Sequence, residues 1–401
     1  MSYFVIKYFM GKSIKTYLKI AAKDYSSRSV NPPIVRASTI LFKTMQELRK
    51  HQKDIKRGKD VEHWDYGRQG TQTTIQLQKI LRGLEEAYQV FLTPTGFSAV
   101  ALAIMSMCRP GDEIVISDGV YRPTQKLTDD LLKEFNIKAI WYNPNSFEDL
   151  KNKVTKKTKL IYVENPGSNT FEMNDLGKII SLAKSKKIFT AMDNTWATAY
   201  FFKPLKLGFD IAITSATKYY SGHSDVMGGT VAVNKKVYKK VWWYNHVSGY
   251  RLSPDDAYLI IRGLRTLDIR MDKHQENTKK VIKFLKTQRK VSKILYPHKT
   301  SSREFKLWKK YYSGASGLVS IIIKSNNKNS VYKFVNTLDL FGIGYSWGGF
   351  ESLAVYTDPV ELGTRRYYEL KKNEHLVRLH IGLEDPKDLI DDLRSSLKYV
   401  K

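Results

Sequence analysis

The stretch Ile188-Phe-Thr-Ala-Met-Asp193-Asn-Thr-Trp196, followed by Asp210-Ile-Ala-Ile-Thr-Ser215-Ala-Thr-Lys218, holds two short apolar runs, each closely followed by a charged residue. Runs of this length bounded by polar residues read as strands buried on both faces. They predict strands over 188–192 and 210–215. Working upstream, the pattern predicts strands over 89–92, 113–117, 139–142 and 160–163. Helices are expected over 74–85, from the Thr93-Pro-Thr-Gly-Phe97 turn to Met107, over 124–135 and over 175–184. Strands alternating with helices imply an α/β fold with a parallel sheet, and a ligand outside the carboxyl ends of its strands. Downstream, Ser253-Pro254 opens a long helical stretch through Ile269. Strands over 318–323 and 377–381, with helices over 331–338 and 387–397, predict a smaller α+β domain.

Composition narrows the class. The chain has 401 residues, ample for a large core, and is 42% hydrophobic and 26% charged, which excludes a mainly disordered protein. Its one cysteine, Cys108, excludes an internal disulfide and a thiolate metal cluster, so no metal is expected. That cysteine count makes the cytoplasm the expected location. The longest apolar run, Ala99 to Cys108, is too short to span a bilayer. Met1 to Lys23 is a basic arm with lysines at 7, 12, 15, 19 and 23 and no apolar core of a signal peptide.

The net charge of +28 invites a nucleic-acid reading. The best candidate is Lys235–Tyr244, where lysines interleave with Tyr238, Trp242, Trp243 and Tyr244. The excess is spread along the chain, though, as solvated faces are. The stretch Lys279–Lys290 reads as an amphipathic helix with Val281, Phe284 and Leu285 on its apolar stripe. No nucleic-acid partner is expected. A basic, non-catalytic nucleic-acid-binding protein on an enzyme fold stays as a distant alternative.

The chemistry concentrates at the strand ends. Lys218 follows a strand and lies beside Ser215 and Thr217, so an amine that could form a Schiff base adjoins hydroxyls that could bond a phosphate. Asp193 ends the neighbouring strand, where a carboxylate can face a pyridinium nitrogen. Thr95-Gly96-Phe97-Ser98 marks a strand-to-helix handover that favours a phosphate. Tyr121, in Gly119-Val-Tyr-Arg-Pro-Thr124, could stack on a ring.

Together, Tyr66-Gly-Arg68, Asp193-Asn-Thr-Trp196, Ser215-Ala-Thr-Lys218 and Tyr345-Ser-Trp-Gly-Gly349 resemble the pyridoxal-phosphate enzymes of cysteine and methionine metabolism, nearest to its bacterial cystathionine β-lyases. The resemblance runs from about residue 30 to the end and leaves the basic arm outside it. It implies the PLP-dependent aminotransferase-like fold (fold-type I), with a mostly parallel seven-stranded sheet in the large domain. The implied divisions are 1–68, an arm reaching the neighbouring subunit's site, 69–262, the cofactor domain, and 263–401, the C-terminal α+β domain. A homotetramer built from two catalytic dimers is also implied.

By resemblance, the cofactor is pyridoxal 5′-phosphate and Lys218 carries it. Asp193 partners its ring nitrogen and Tyr121 stacks on it. Gly96, Phe97, Ser215 and Thr217 hold its phosphate, joined by Tyr66 and Arg68 of the neighbouring subunit. Phe97 is bulkier than the small residues usual there, which is harmless if only its backbone N–H is used. Arg378 clamps the substrate α-carboxylate, with Ser346 and Trp347 beside it. A planar guanidinium suits that task.

Trp347, Asp193-Asn-Thr-Trp196 and Tyr121-Arg-Pro favour β- over γ-elimination within the family. The expected reaction converts L-cystathionine to homocysteine, pyruvate and ammonia, with cysteine and other sulfur conjugates as further substrates. A γ-lyase or γ-synthase is the alternative. Lys218, aided by the phenols of Tyr66 and Tyr121, is expected to take the Cα proton. That requires an amine pKa below the free value, with the cofactor's charge and the phenols as the expected causes.

Overall fold

Among the described residues, seven strands, numbered along the chain, form one sheet in the order 1-7-6-5-4-2-3, and four form a second in the order 10-11-9-8. The structure is a computed structural model that describes residues 12–21, 28–57, 65–298, 302–357, 362 and 365–401. Most of the basic arm, residues 1–11 and 22–27, lies outside the described residues. The large sheet comprises β1 (Gln89–Thr93), β2 (Glu113–Ser117), β3 (Lys138–Tyr142), β4 (Thr158–Glu164), β5 (Phe189–Asp193), β6 (Ile211–Ser215) and β7 (Gly229–Val233). Only β7 runs against the others, pairing antiparallel with β1 and β6. The expected mostly parallel seven-stranded sheet is therefore present.

The period-two rule shows why these runs are strands. In β4, Leu160 and Tyr162 join one core while Ile161 and Val163 join the other. In β6, Ile211 and Ile213 face one side and Ala212 the other. The helix Gly96–Met107 is apolar nearly all round, because it packs under β6 and β7 on one side and under the helix Tyr238–Ser248 on another. Burying each such Leu or Ile contributes about 1.5–3 kcal/mol.

Three strands carry no clear periodic signal in the sequence: β7, β8 (Val291–Leu295) and β10 (Leu353–Thr357). β7 opens on Gly229, whose missing Cβ lets the strand lie against the Thr95 carbonyl, 2.3 Å from where a Cβ would sit. The remaining strands of the smaller sheet are β9 (Leu318–Lys324) and β11 (Glu374–His380), and all its pairings are antiparallel. The helices Lys328–Asn336 and Pro386–Leu397 pack against each other beside it.

Two helix expectations change. The stretch expected over 124–135 begins at Arg122 and contains a π-helical turn at Leu127–Leu131. The long helix expected through Ile269 divides into Pro254–Leu264 and Leu267–Leu285. The buried Arg270 explains the division. Its guanidinium donates to the carbonyls of Gly263 (2.7 Å) and Tyr219 (2.8 Å), so the end of the first helix is drawn onto the segment after Lys218. In the sequence, Gly263 stands beside that break.

In the helix Tyr238–Ser248, Val241 is buried and Trp242 and Tyr244 pack on the core, whereas Trp243 is exposed. Among the described residues, no helix is long and apolar enough to cross a membrane.

Candidate active site

The carboxyl ends of β4, β5 and β6 converge with the start of the helix Gly96–Met107 and a loop of the smaller sheet. Lys218 sits three residues past β6 and is half-buried. Its Nζ donates to Ser346 Oγ at 2.6 Å and lies 5.5 Å from the centre of the Trp347 ring. Burial, followed by the positive Arg378, lowers its pKa to about 8, while Asp193 works in the opposite direction. The structure thus supplies causes other than those expected: burial and Arg378, with no phenol among them.

Asp193 ends β5. Its Oδ1 accepts from the backbone N–H (2.9 Å) and the hydroxyl (2.6 Å) of Thr195. Burial raises its pKa, and the two Thr195 bonds and Lys218 oppose the rise. Thr195 also ties the two strands together, because its hydroxyl accepts from the N–H of Ser215 at 2.9 Å.

The helix Gly96–Met107 begins with Thr95 as its cap, whose hydroxyl accepts from the Ser98 N–H. The first N–H groups of a helix have no intrahelical acceptor, so those of Gly96 and Phe97 are available to an anion. A Cβ on Gly96 would lie 2.3 Å from Ser215 Oγ, so only glycine leaves room between them. Thr217 is placed differently from a simple phosphate ligand: its hydroxyl donates to the Gly228 carbonyl (3.2 Å) and accepts from the Gly228 N–H (3.0 Å).

The smaller sheet contributes from the opposite side. Arg378 Nη2, on β11, donates to the carbonyl of Ser346 at 3.1 Å. Ser346 adopts φ +83°, a left-handed conformation unusual for a residue with a Cβ. Gly348, at φ +90°, passes so close that a Cβ would lie 2.9 Å from the Tyr219 nitrogen and 3.1 Å from the Lys218 Cα. Its N–H donates to His380 Nε2 at 3.1 Å, which leaves the His380 proton on Nδ1, facing the Glu351 carbonyl at 2.9 Å. Burial and the neighbouring His274 keep His380 well below its usual pKa, hence neutral. Trp347 packs on Tyr219, with ring centroids 5.4 Å apart.

Tyr121 caps the helix Arg122–Lys126, and its ring is half-exposed. Burial, then Glu164, raises the phenol's pKa, while Arg378 opposes. The phenol of Tyr121 is therefore harder to ionise than a free one.

Tyr66 and Arg68 stand apart from this group. Tyr66 bridges Thr39, Arg68 donates to the His246 carbonyl, and its guanidinium lies 5.9 Å from the Tyr66 ring centre. Those partners, Thr39 and His246, are not members of the group formed by Lys218, Asp193 and Arg378. Burial and Arg68 lower the pKa of nearby Arg251 to about 10.

Sequence reasoning overlooked Glu164, the last residue of β4, which pairs in register with Asp193. Its signal was available: it ends an apolar run as Asp193 does. Gly348 and His380 were also overlooked.

Pyridoxal 5′-phosphate requires an amine that sheds its proton more readily than a free lysine, a carboxylate for its ring nitrogen and an anion cradle. Lys218, Asp193 and the Gly96–Ser215 approach fit those three needs.

Comparison with known proteins adds the family. The description "Cys/Met metabolism PLP-dependent enzyme" matches residues 16–398. The chain is 35% identical over 375 residues to a cystathionine beta-lyase of Bordetella avium, covering 93% of each. It is 34% identical over 380 residues to an L-alanine/L-glutamate racemase of Wolbachia pipientis wMel, again covering 93% of each. Among solved structures, a cystathionine gamma synthase of Xanthomonas oryzae pv. oryzae in complex with cystathionine has a TM-score of 0.88 at 28% identity, covering 97% of this chain and 98% of that one.

Proposed function

Because the chain belongs to the Cys/Met metabolism PLP-dependent enzymes, we propose that it cleaves the Cβ–S bond of L-cystathionine, giving homocysteine, pyruvate and ammonia. Other cysteine conjugates are further substrates of the same site. The observation that carries this reading is the Lys218 amine, 2.6 Å from Ser346 Oγ and 5.5 Å from the centre of the Trp347 ring, with its pKa lowered to about 8 by burial and Arg378. Pyridoxal 5′-phosphate, when bound, supplies an aldehyde for the substrate amine and a ring that accepts electrons from Cα.

This chain's residues do the rest. Asp193, fixed by Thr195, faces the ring nitrogen. Gly96, Phe97, Ser215 and Thr217 would hold the phosphate. Arg378 grips the α-carboxylate beside Ser346 and Trp347, which orients the Cα–H toward Lys218. Lys218 removes that proton as general base. The protonated Tyr121 phenol or the Lys218 ammonium then delivers a proton to the departing sulfur.

We assign Tyr66 and Arg68 to the site of a partner subunit, since each lies apart from Lys218 in its own. That reading requires a dimer, and the family resemblance extends it to a homotetramer of two such dimers. We divide the chain at residues 68 and 262 and place the protein in the cytoplasm, as its single cysteine suggests.

The likeness to the Bordetella avium cystathionine beta-lyase and the presence of Trp347 beside Lys218 favour β- over γ-elimination. The γ-synthase likeness keeps the γ reaction as the alternative. A second reading is amino-acid racemisation, favoured by the likeness to the Wolbachia racemase. The two chemistries share removal of the Cα proton and differ in whether sulfur leaves or a proton returns to the other face.

Product analysis separates them. The cofactor-loaded enzyme is given L-cystathionine, then L-alanine and L-glutamate. Pyruvate with homocysteine supports the β-lyase, and 2-oxobutyrate with cysteine supports γ-elimination. D-alanine or D-glutamate with no oxoacid supports the racemase.

A further inference from the structure

Glu164 is a half-buried carboxyl group beside this site, and no step above uses it. It ends β4 directly beside Asp193, the end of β5, in the register of the parallel pair. Its Oε2 accepts the backbone N–H of Tyr121 at 2.6 Å. The loop leading to Tyr121 is stitched to the chain after Glu164 at two further points. The Ser168 N–H donates to the Gly119 carbonyl at 2.6 Å. Arg365 joins Asp118 (Nε to Oδ2, 3.1 Å) to Glu172 (Nη2 to Oε1, 2.9 Å), and all three side chains are nearly or fully buried. Asp118 also accepts the N–H groups of Arg366 and Tyr367. The base of the loop is thus anchored by ion pairs, and its tip at Tyr121 by Glu164.

We infer that Glu164 is a positioning residue: it fixes the backbone of Tyr121, and so the tilt of the phenol against the bound cofactor, while leaving Asp193 as the carboxylate for the ring nitrogen. This rests on the reading of Tyr121 and Asp193 proposed above. Two carboxylates side by side at adjacent strand ends repel, so one is kept in its acid form. Burial and the proximity of Asp193 push Glu164 well above the usual carboxylate range, against the pull of the Tyr121 N–H, Arg365 and Ser168. Asp193 has the two Thr195 bonds and Lys218 to favour its anion. A neutral carboxyl still accepts the Tyr121 N–H through its carbonyl oxygen.

The consequence is specific: what Glu164 contributes is an acceptor oxygen, and a charge is unnecessary. Glu164→Gln keeps an acceptor of the same length, whereas Glu164→Met keeps the volume and loses it. The holoenzyme of each variant is compared with the parent by the visible circular dichroism of the bound cofactor, the kcat and KM for L-cystathionine, the pH profile and the melting temperature.

The Gln variant is expected to keep the cofactor band, the pH profile and kcat within about twofold. The Met variant is expected to change the band and lower kcat by about tenfold to a hundredfold, because a small misplacement at a reacting centre has that effect. A Gln variant with an altered pH profile, or with a loss as large as that of Met, overturns the inference. A folded Met variant with the parental band and kcat overturns it too. If the Met variant fails to fold, the Gln variant decides by the same criterion.

Tyr121→Leu separates this inference from the reading beneath it. An unchanged cofactor band in that variant removes Tyr121 from the cofactor. A changed band there, beside an unchanged one in Glu164→Met, defeats the Glu164 inference alone.

Discussion

The amine of Lys218 lies 2.6 Å from the hydroxyl of Ser346, a residue that the backbone holds at φ +83°. Such a conformation costs on the order of 1–3 kcal/mol for a residue with a Cβ and persists only where its surroundings impose it. Here they are visible. Arg378 binds the Ser346 carbonyl, and Gly348, two residues on, lies against the Lys218 backbone with its N–H on His380. One loop of the smaller sheet therefore presents a hydroxyl to the lysine and ties Arg378 beside it.

Replacing Lys218 by Ala removes the general base. The expected loss in kcat is at least about 10²–10⁴-fold. The cofactor is still expected to bind in its phosphate cradle but to leave on dialysis. Steady-state kinetics and the absorbance retained after dialysis check both; near-parental turnover excludes Lys218 as the base.

The Lys218 pKa of about 8 sets a pH dependence with a definite sign. The amine is neutral above that value, so capture of pyridoxal phosphate by the apoprotein is expected to quicken as pH rises through about 8 and then level. Arg378 lowers this pKa, so Arg378→Leu is expected to move the midpoint upward as well as raising KM. Asp193→Asn is expected to move it downward. Stopped-flow capture rates across pH 6–10 on the three proteins test the order of midpoints.

Gly96→Ala tests the phosphate cradle. The added Cβ would lie 2.3 Å from Ser215 Oγ, so the helix start and the strand end must part. The Kd for pyridoxal phosphate, measured by fluorescence titration, is expected to rise at least about tenfold, a loss of about 1.4 kcal/mol. An unchanged Kd places the phosphate elsewhere.

Glu85 lies under the lysine loop, accepts from the hydroxyl of Tyr220 at 2.5 Å and has its pKa raised by burial to about 7. Tyr220, Lys203 and Thr214 oppose that rise. The folded protein holds this proton more tightly than the unfolded chain, so the stability it lends is full below about pH 4.5 and is lost as pH rises through about 7. Glu85→Gln is expected to abolish that slope and to be the more stable protein at pH 8, by on the order of 3 kcal/mol. Denaturant unfolding at pH 5 and pH 8 measures it; equal slopes for parent and variant contradict the raised pKa.

Much of the large sheet was legible because the strands of a doubly covered sheet are apolar runs that stop abruptly at its carboxyl edge. Ile188–Met192 and Asp210–Ser215 show this within a residue of their observed limits. The residues at those stops, Asp193 and Lys218, could be singled out for the same reason. β7 could not, because its first residue is a glycine chosen for the close approach to Thr95. The division of the helix after Leu264 was hidden as well, since Arg270 ties the Gly263 carbonyl to that of Tyr219, 51 residues away in the chain.

The sequence by itself determined the alternation of elements, the family and the chemical types of the site, since these follow from local periodicity and from motifs spanning a few residues. Tertiary structure alone decided what those groups experience. The lowered pKa of Lys218 and the raised pKa values of Tyr121 and Glu164 arise from burial and from charges more than 25 residues away in the chain. Proton affinity depends on the local dielectric and the distance between charges, and both exist only once the two sheets close around the site.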